Sequence, residues 1–159
     1  MRPILDEAYA AAHRRGFFGV AVYNPKREEN VGAVIRVAHC FGASILYVFG
    51  QRFRRYNSDT TNGTCHVPTL YIPDPALFWD YMPEHASVVA LEITDGTDSL
   101  VRFCHPGRAV YVLGPEDGSL PSVVLDRAHH LVRVPTQFCL NVAHALTATL
   151  YDRTAKGSA

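Results

Sequence analysis

The sequence predicts an α/β fold, a single domain over residues 1–159 built on a parallel sheet. Three observations carry that expectation. Short apolar runs at residues 17–23, 44–49, 87–93, 109–113 and 131–134 are continuous rather than alternating, as in strands covered on both faces. Stretches between them carry helix start and stop signals. A chain of 159 residues also has the length to enclose one core without disulfide or metal staples.

In chain order, Ile4 to Arg15 reads as a short helix with Leu5, Ala8, Tyr9 and Ala12 on one stripe, basic residues in its last turn and Gly16 as its stop. Residues 17–23 (FFGVAVY) form the first strand, closed by Asn24-Pro25. Asn30 is placed to cap the next helix, Val31, Val34, Ile35 and Ala38 form its buried face, and Gly42 supplies a left-handed stop. Arg36 lies on the opposite side of that helix. Together with the helix N-terminus it suits an anion, while periodicity alone favours a plain cap for Asn30 and a solvated charge for Arg36. After the strand at 44–49 comes a long polar stretch in which Arg52, Arg54 and Arg55 alternate with Phe53 and Tyr56, a pattern for phosphate contact with base stacking or simply an exposed loop.

Pro73 to Met82 reads as a short helix with Asp74 as cap, Pro75 at its first position and Leu77, Phe78, Trp79 and Tyr81 for packing. A strand at 87–93 ends in the turn TDGTDS. The strand at 109–113 delivers Gly114 at its carboxyl end, the edge where open α/β sheets bind ligands, followed by Glu116 and Gly118. Pro121 opens a helix that is expected to run to His129-His130. The last unit joins a strand at 131–134 to a Pro135-initiated loop and a helix so rich in small and branched residues that few of its faces are expected to be wet.

Composition narrows the classes. With 48% hydrophobic and 19% charged residues the chain is an ordinary globular protein, and 15 basic against 15 acidic residues point to no partner by sum. Nucleic acid stays open, because phosphate contact depends on clusters such as Lys26-Arg27 and Arg52 to Arg55. The cysteines at 40, 65, 104 and 139 form no CxxC pair, so they are read as reduced thiols, with no metal site expected. No signal-peptide core and no 18-residue apolar run occurs, which predicts a cytoplasmic protein with no membrane contact. GxGxxG and the GxxxxGK[ST] phosphate loop are both absent.

Three segments then fall into a pattern. Asn30-Val-Gly32-Ala-Val-Ile-Arg36 with Phe41-Gly42, Leu113-Gly114-Pro-Glu116-Asp-Gly118-Ser-Leu120-Pro121, and Val134-Pro135 with Cys139-Leu140-Asn141-Val142-Ala143 stand in order across residues 17–153. This resembles the SpoU, or TrmH, branch of the SPOUT RNA methyltransferases. Two positions depart from that family's pattern. Ser119 precedes the motif-two leucine where glycine is usual, and Cys139 stands where serine is usual, a larger and weaker hydrogen-bonding group.

The resemblance implies a parallel-sheet domain whose C-terminal segment is threaded as a deep trefoil knot, and the sequence itself offers no separate RNA-binding extension, so RNA is expected to be met by this domain's own basic segments. It implies S-adenosylmethionine held at Leu91, Gly114, Val134, Cys139 and Leu140, without a metal. It implies methyl transfer to a ribose 2′-hydroxyl of tRNA or rRNA, with Arg36, Asn30, Glu116 and Asn141 as the catalytic group. RNA contacts are expected from Lys26, Arg27, Arg36, Arg52, Arg54 and Arg55, and a homodimer from the N- and C-terminal helices. The other readings are a non-catalytic RNA-binding relative and a methyltransferase acting on a base nitrogen.

Overall fold

A computed structural model of the chain describes residues 16–50 and 65–157. The predicted helix at Ile4 to Arg15 and the arginines at 52, 54 and 55 lie outside the described residues. Seven parallel strands form one sheet: β1 (Phe17–Tyr23), β2 (Ile45–Phe49), β3 (Thr69–Ile72), β4 (Ser87–Leu91), β5 (Asp98–Ser99), β6 (Arg108–Leu113) and β7 (His130–Arg133). Their order across the sheet is β3-β2-β1-β6-β4-β7-β5, so the late strand β7 lies between β4 and β5.

Continuous apolar strands have to be covered on both faces, and they are. Alternate residues point to opposite sides. Val20, Val22, Tyr111 and Leu113 pack with helices α1 (Glu28–Phe41) and α3 (Val142–Lys156), through Val31, Val34, Ile35, Leu146 and Leu150. Ala21, Val110 and Val112 face the other way, toward the 3-10 turn Pro75–Tyr81 and the one-turn helix α2 (Ser122–Leu125), through Phe78, Leu120 and Val124.

Several expectations change in detail. Asn30 is not the cap of α1: Arg27 occupies that position with extended backbone, and Glu28 and Glu29 favour the helix start by their charge. Asn30 sits in the first turn, where its N–H reaches the Arg27 carbonyl at 3.2 Å and its side chain is free of capping duty. Gly42 does close α1, at φ 71° and ψ 45°.

The helix after Pro121 ends at Leu125 rather than at the histidines. Pairing with β4 takes over there: His129 N–H donates to Val88 O at 2.9 Å, and Val88 N–H donates to His129 Nδ1 at 3.0 Å, which makes His130 the first residue of β7. The short edge strands β3 and β5 have no counterpart in the sequence reading. Asp74 caps the 3-10 turn by accepting from Ala76 N–H at 2.9 Å, yet of its side chains only Phe78 is buried, and Leu77 and Tyr81 are exposed. Helix α3 is also wetter than expected, with Val142, Ala143, Leu146, Thr149, Leu150 and Arg153 buried and His144, Thr147 and Tyr151 exposed.

A polar knot of side chains lies within the core beneath α3. His105 Nδ1 lies 2.6 Å from Tyr111 Oη and its Nε2 2.9 Å from Asp152 Oδ2. Buried Arg153 donates to Pro106 O at 2.6 Å, Gly107 O at 3.2 Å and Tyr111 Oη at 3.1 Å, tying α3 to the connection before β6. Burial pushes the Tyr111 hydroxyl up to about 12. The same burial holds the His105 imidazole below its usual range, outweighing the Asp152 carboxylate beside it. The apolar patterns of the sequence hid this cluster, because Tyr111 reads as one more residue of an apolar strand.

Candidate functional site

Strands β4, β6 and β7 end level with one another, Leu91 standing beside both Leu113 and Val132. Chain leaving three neighbouring parallel strands must turn at the same edge, and the turns enclose a cavity of about 330 Å³. Leu91, Gly114, Val134, Cys139 and Leu140, the five residues singled out for donor binding, all line it. Gly114 leaves room: a Cβ placed there would lie 3.4 Å from Leu120 N, ordinary contact within the protein.

Glu92 belongs to this wall and was missed. Its Oε2 accepts from Leu120 N–H at 3.0 Å and its Oε1 from Ile93 N–H at 3.1 Å, clamping the end of β4 to the loop after β6. A carboxylate placed directly after a buried apolar strand was the available signal. Thr136 Oγ1 donates to Phe138 O at 2.7 Å and shapes the third loop, leaving the Phe138 ring 84% exposed.

At the cavity mouth the three motifs meet through hydrogen bonds. Glu116, which also lines the cavity, accepts the Lys26 backbone N–H at 2.9 Å through Oε2 and the Asn30 amide through Oε1. Asn141 Nδ2 in turn donates to Asn30 Oδ1 at 2.8 Å, and Asn141 Oδ1 accepts from Ala143 N–H at 2.9 Å, capping α3. Each amide is thus used at both ends, which fixes its orientation. Partial burial tends to raise the Glu116 carboxyl, but the donors at Lys26 and Asn30 outweigh it and hold the group below the usual carboxylate range.

Lys26 Nζ also meets Asp117 Oδ2 at 3.3 Å, a half-exposed pair of small energetic weight. Arg27 and Arg36 are exposed, Arg36 on the outward face of the helix that carries Asn30. The structure therefore brings Asn30, Glu116 and Asn141 into one chain of bonds and sets Arg36 two turns along α1 from its start. The cavity's apolar side chains and strand-end backbone groups suit a flat neutral ring, and the carboxylates of Glu92 and Glu116 and the guanidinium of Arg133 line it with them.

Residues 18–151 match the family described as SpoU rRNA Methylase. The chain belongs to this family. Within the SpoU family it is similar to a 23S rRNA (uridine(2479)-2′-O)-methyltransferase of Streptomyces viridochromogenes, 25% identical over 151 residues, covering 87% of this chain and 53% of the relative. Among solved structures it is similar to the SpoU methyltransferase AviRb of the same organism in complex with AdoMet. That match has TM-score 0.78 and 23% identity, covering 90% of this chain and 58% of the other. The A. aeolicus TrmH/SpoU tRNA modifying enzyme superposes with TM-score 0.77 at 18% identity, covering 97% and 84%. The chain spans about half the length of the curated relative. Among the described residues no helix is long and apolar enough to cross a membrane.

Proposed function

We propose that the chain is an S-adenosylmethionine-dependent RNA 2′-O-ribose methyltransferase acting on tRNA or rRNA. The observation that carries this reading is the bond chain from Glu116 through Asn30 to Asn141, which joins three separate motifs at the mouth of a cavity walled by three strand ends. A site for transfer needs a donor pocket and groups that orient an acceptor, and a cavity beside three bonded polar side chains supports that pairing. The activities named for the relatives, on 23S rRNA and on tRNA, support the substrate class.

The donor cavity suits S-adenosylmethionine: apolar Leu91, Val134 and Leu140 would flank the adenine and the methionine chain, with Gly114 permitting close backbone approach and Cys139 on the same wall. When bound, the cofactor supplies an electrophilic methyl on a sulfonium. The protein's task is then to orient the ribose hydroxyl and favour its alkoxide. Arg36 is assigned that role. Its guanidinium, with a pKa above about 12, is a poor proton acceptor but binds phosphate and stabilises a developing alkoxide, leaving phosphate or water to take the proton. Glu116, Asn30 and Asn141 hold the helix start and the third loop in the register that presents Arg36 and the acceptor.

Lys26 and Arg27 border the site, and together with Arg52, Arg54 and Arg55 they are assigned to the RNA backbone. The position of β7 between β4 and β5 supports a C-terminal trefoil knot. The open face of α3, with exposed Tyr151, supports a homodimer in which that face and the N-terminal helix are covered. Four exposed free cysteines accord with the reducing cytoplasm.

Labelled methyl is to be supplied to total tRNA and rRNA in parallel, with nucleoside mass spectrometry of the product. A ribose-methylated nucleoside is expected; label on a base nitrogen, or no transfer by a chain that binds the donor, overturns the reading.

A further inference from the structure

A second hollow, of about 520 Å³, lies at the sheet edge where β5 pairs with β7. Arg133 forms part of its wall and also part of the wall of the donor cavity, so the two spaces adjoin. The chemistry of this hollow is basic and polar. Arg102, His130 and Ser99 line it with Arg133, and Asp98 is its one carboxylate. Both guanidiniums are exposed, and among the described residues neither is held by a carboxylate at ion-pair distance.

The frame around these side chains is fixed. The 3-10 turn Leu100–Arg102 that presents Arg102 is pinned by Lys156 Nζ, which donates to Leu100 O at 2.6 Å and to Phe103 O at 3.3 Å. The His130 ring packs edge-on against Phe103 at 5.2 Å. Ser99 stands in register with Arg133 across the β5–β7 ladder. Two exposed guanidiniums carried on a pinned backbone, with the Ser99 hydroxyl in the same lining, form a place for an oxyanion.

We propose that this hollow binds a phosphodiester of the substrate RNA, adjacent to the nucleotide presented to the donor cavity, with Arg102 and Arg133 as the phosphate ligands. The occupant follows from charge and place. Two guanidiniums against one carboxylate call for an anion, and the shared Arg133 wall sets that anion beside the donor cavity, within reach of an RNA strand that presents its ribose there. This rests on the RNA methyltransferase reading and extends its RNA contacts to the opposite edge of the sheet from β2 and β3.

The experiment measures binding of the RNA that accepts methyl, by fluorescence anisotropy with S-adenosylhomocysteine present, for wild type, Arg102→Ala, Arg102→Lys and a control, Arg108→Ala. Arg102 does not line the donor cavity, and Arg108 lies at the amino end of β6, away from it. Arg102→Ala is expected to weaken RNA binding roughly 3- to 10-fold and to lower the slope of log affinity against log salt by about 0.7. Donor affinity should stay within about twofold, and Arg102→Lys and Arg108→Ala should stay near wild type. Unchanged affinity and slope in Arg102→Ala, or an equal loss in Arg108→Ala, overturns the assignment. Altered self-association of Arg102→Ala with RNA affinity intact would give the hollow to a protein contact and overturn it as well. A wild-type chain that methylates no RNA fails at the earlier step, which separates failure of the methyltransferase reading from failure of this one.

Discussion

Replacing Glu116 with glutamine tests whether the bond chain at the cavity mouth holds the site together. The carboxylate accepts two donors, the Lys26 N–H at 2.9 Å and the Asn30 amide. A glutamine can turn its oxygen to one of them, but its own NH2 then faces the other. Charge-assisted bonds contribute up to about 3 kcal/mol each when buried; for an exposed carboxylate solvent screening brings the pair down to the order of 1–2 kcal/mol. The pH dependence has a definite sign. Because the folded carboxyl titrates below its ordinary 4.5, its contribution is fully present at neutral pH and is lost as pH falls through the folded value. Urea unfolding of wild type and Glu116→Gln should therefore show a gap of about 1–2 kcal/mol at neutral pH that closes in acid. A gap that is absent at neutral pH, or that stays constant down to acid, refutes the role of the charge.

Arg36→Ala should lower methyl transfer more than about a hundredfold while calorimetry finds donor affinity within twofold, since an oriented cation acts on the developing charge and not on the donor. Gly114→Ala should weaken donor binding several-fold, with an unfolding midpoint close to wild type, because a Cβ at that position meets protein only at ordinary contact distance. Tyr111→Phe, which removes the hydroxyl shared by His105 and Arg153, should cost about 1–3 kcal/mol at neutral pH in thermal or urea unfolding. The same variant should lose an alkaline transition: with the folded hydroxyl raised to about 12, wild-type stability falls as pH rises from 10 toward 12, and the phenylalanine protein lacks that component.

The sheet's central strands were legible because burial on both faces leaves an unmistakable run of apolar residues, as in residues 17–23 and 109–113. The edge strands were not. Thr69–Ile72 is four residues with Tyr71 turned to solvent, and Asp98–Ser99 is two polar residues inside a turn, so neither carries a hydrophobic pattern. The motifs located the cavity, since loops at parallel strand ends are where glycine and polar residues accumulate. How the polar residues pair was illegible: Asn30 serves Glu116 and Asn141, 86 and 111 positions away, and no local rule joins residues so far apart. His129 and His130 were misplaced for a similar reason, because a helix-ending pattern yielded to a distant strand partner.

The place of β7 in the sheet has a consequence for how the molecule is completed. Two walls of the cavity come from the ends of β4 and β6, and the third from the end of β7, residues 130–133, which lies between β4 and β5. A growing chain that has not reached this strand holds two walls and no enclosure. Affinity for a small molecule in that cavity then reports that all three strand ends are in place, and a ligand touching all three ties β7 to β4 and β6. At a hundred times its dissociation constant such a ligand adds about 2.7 kcal/mol against unfolding.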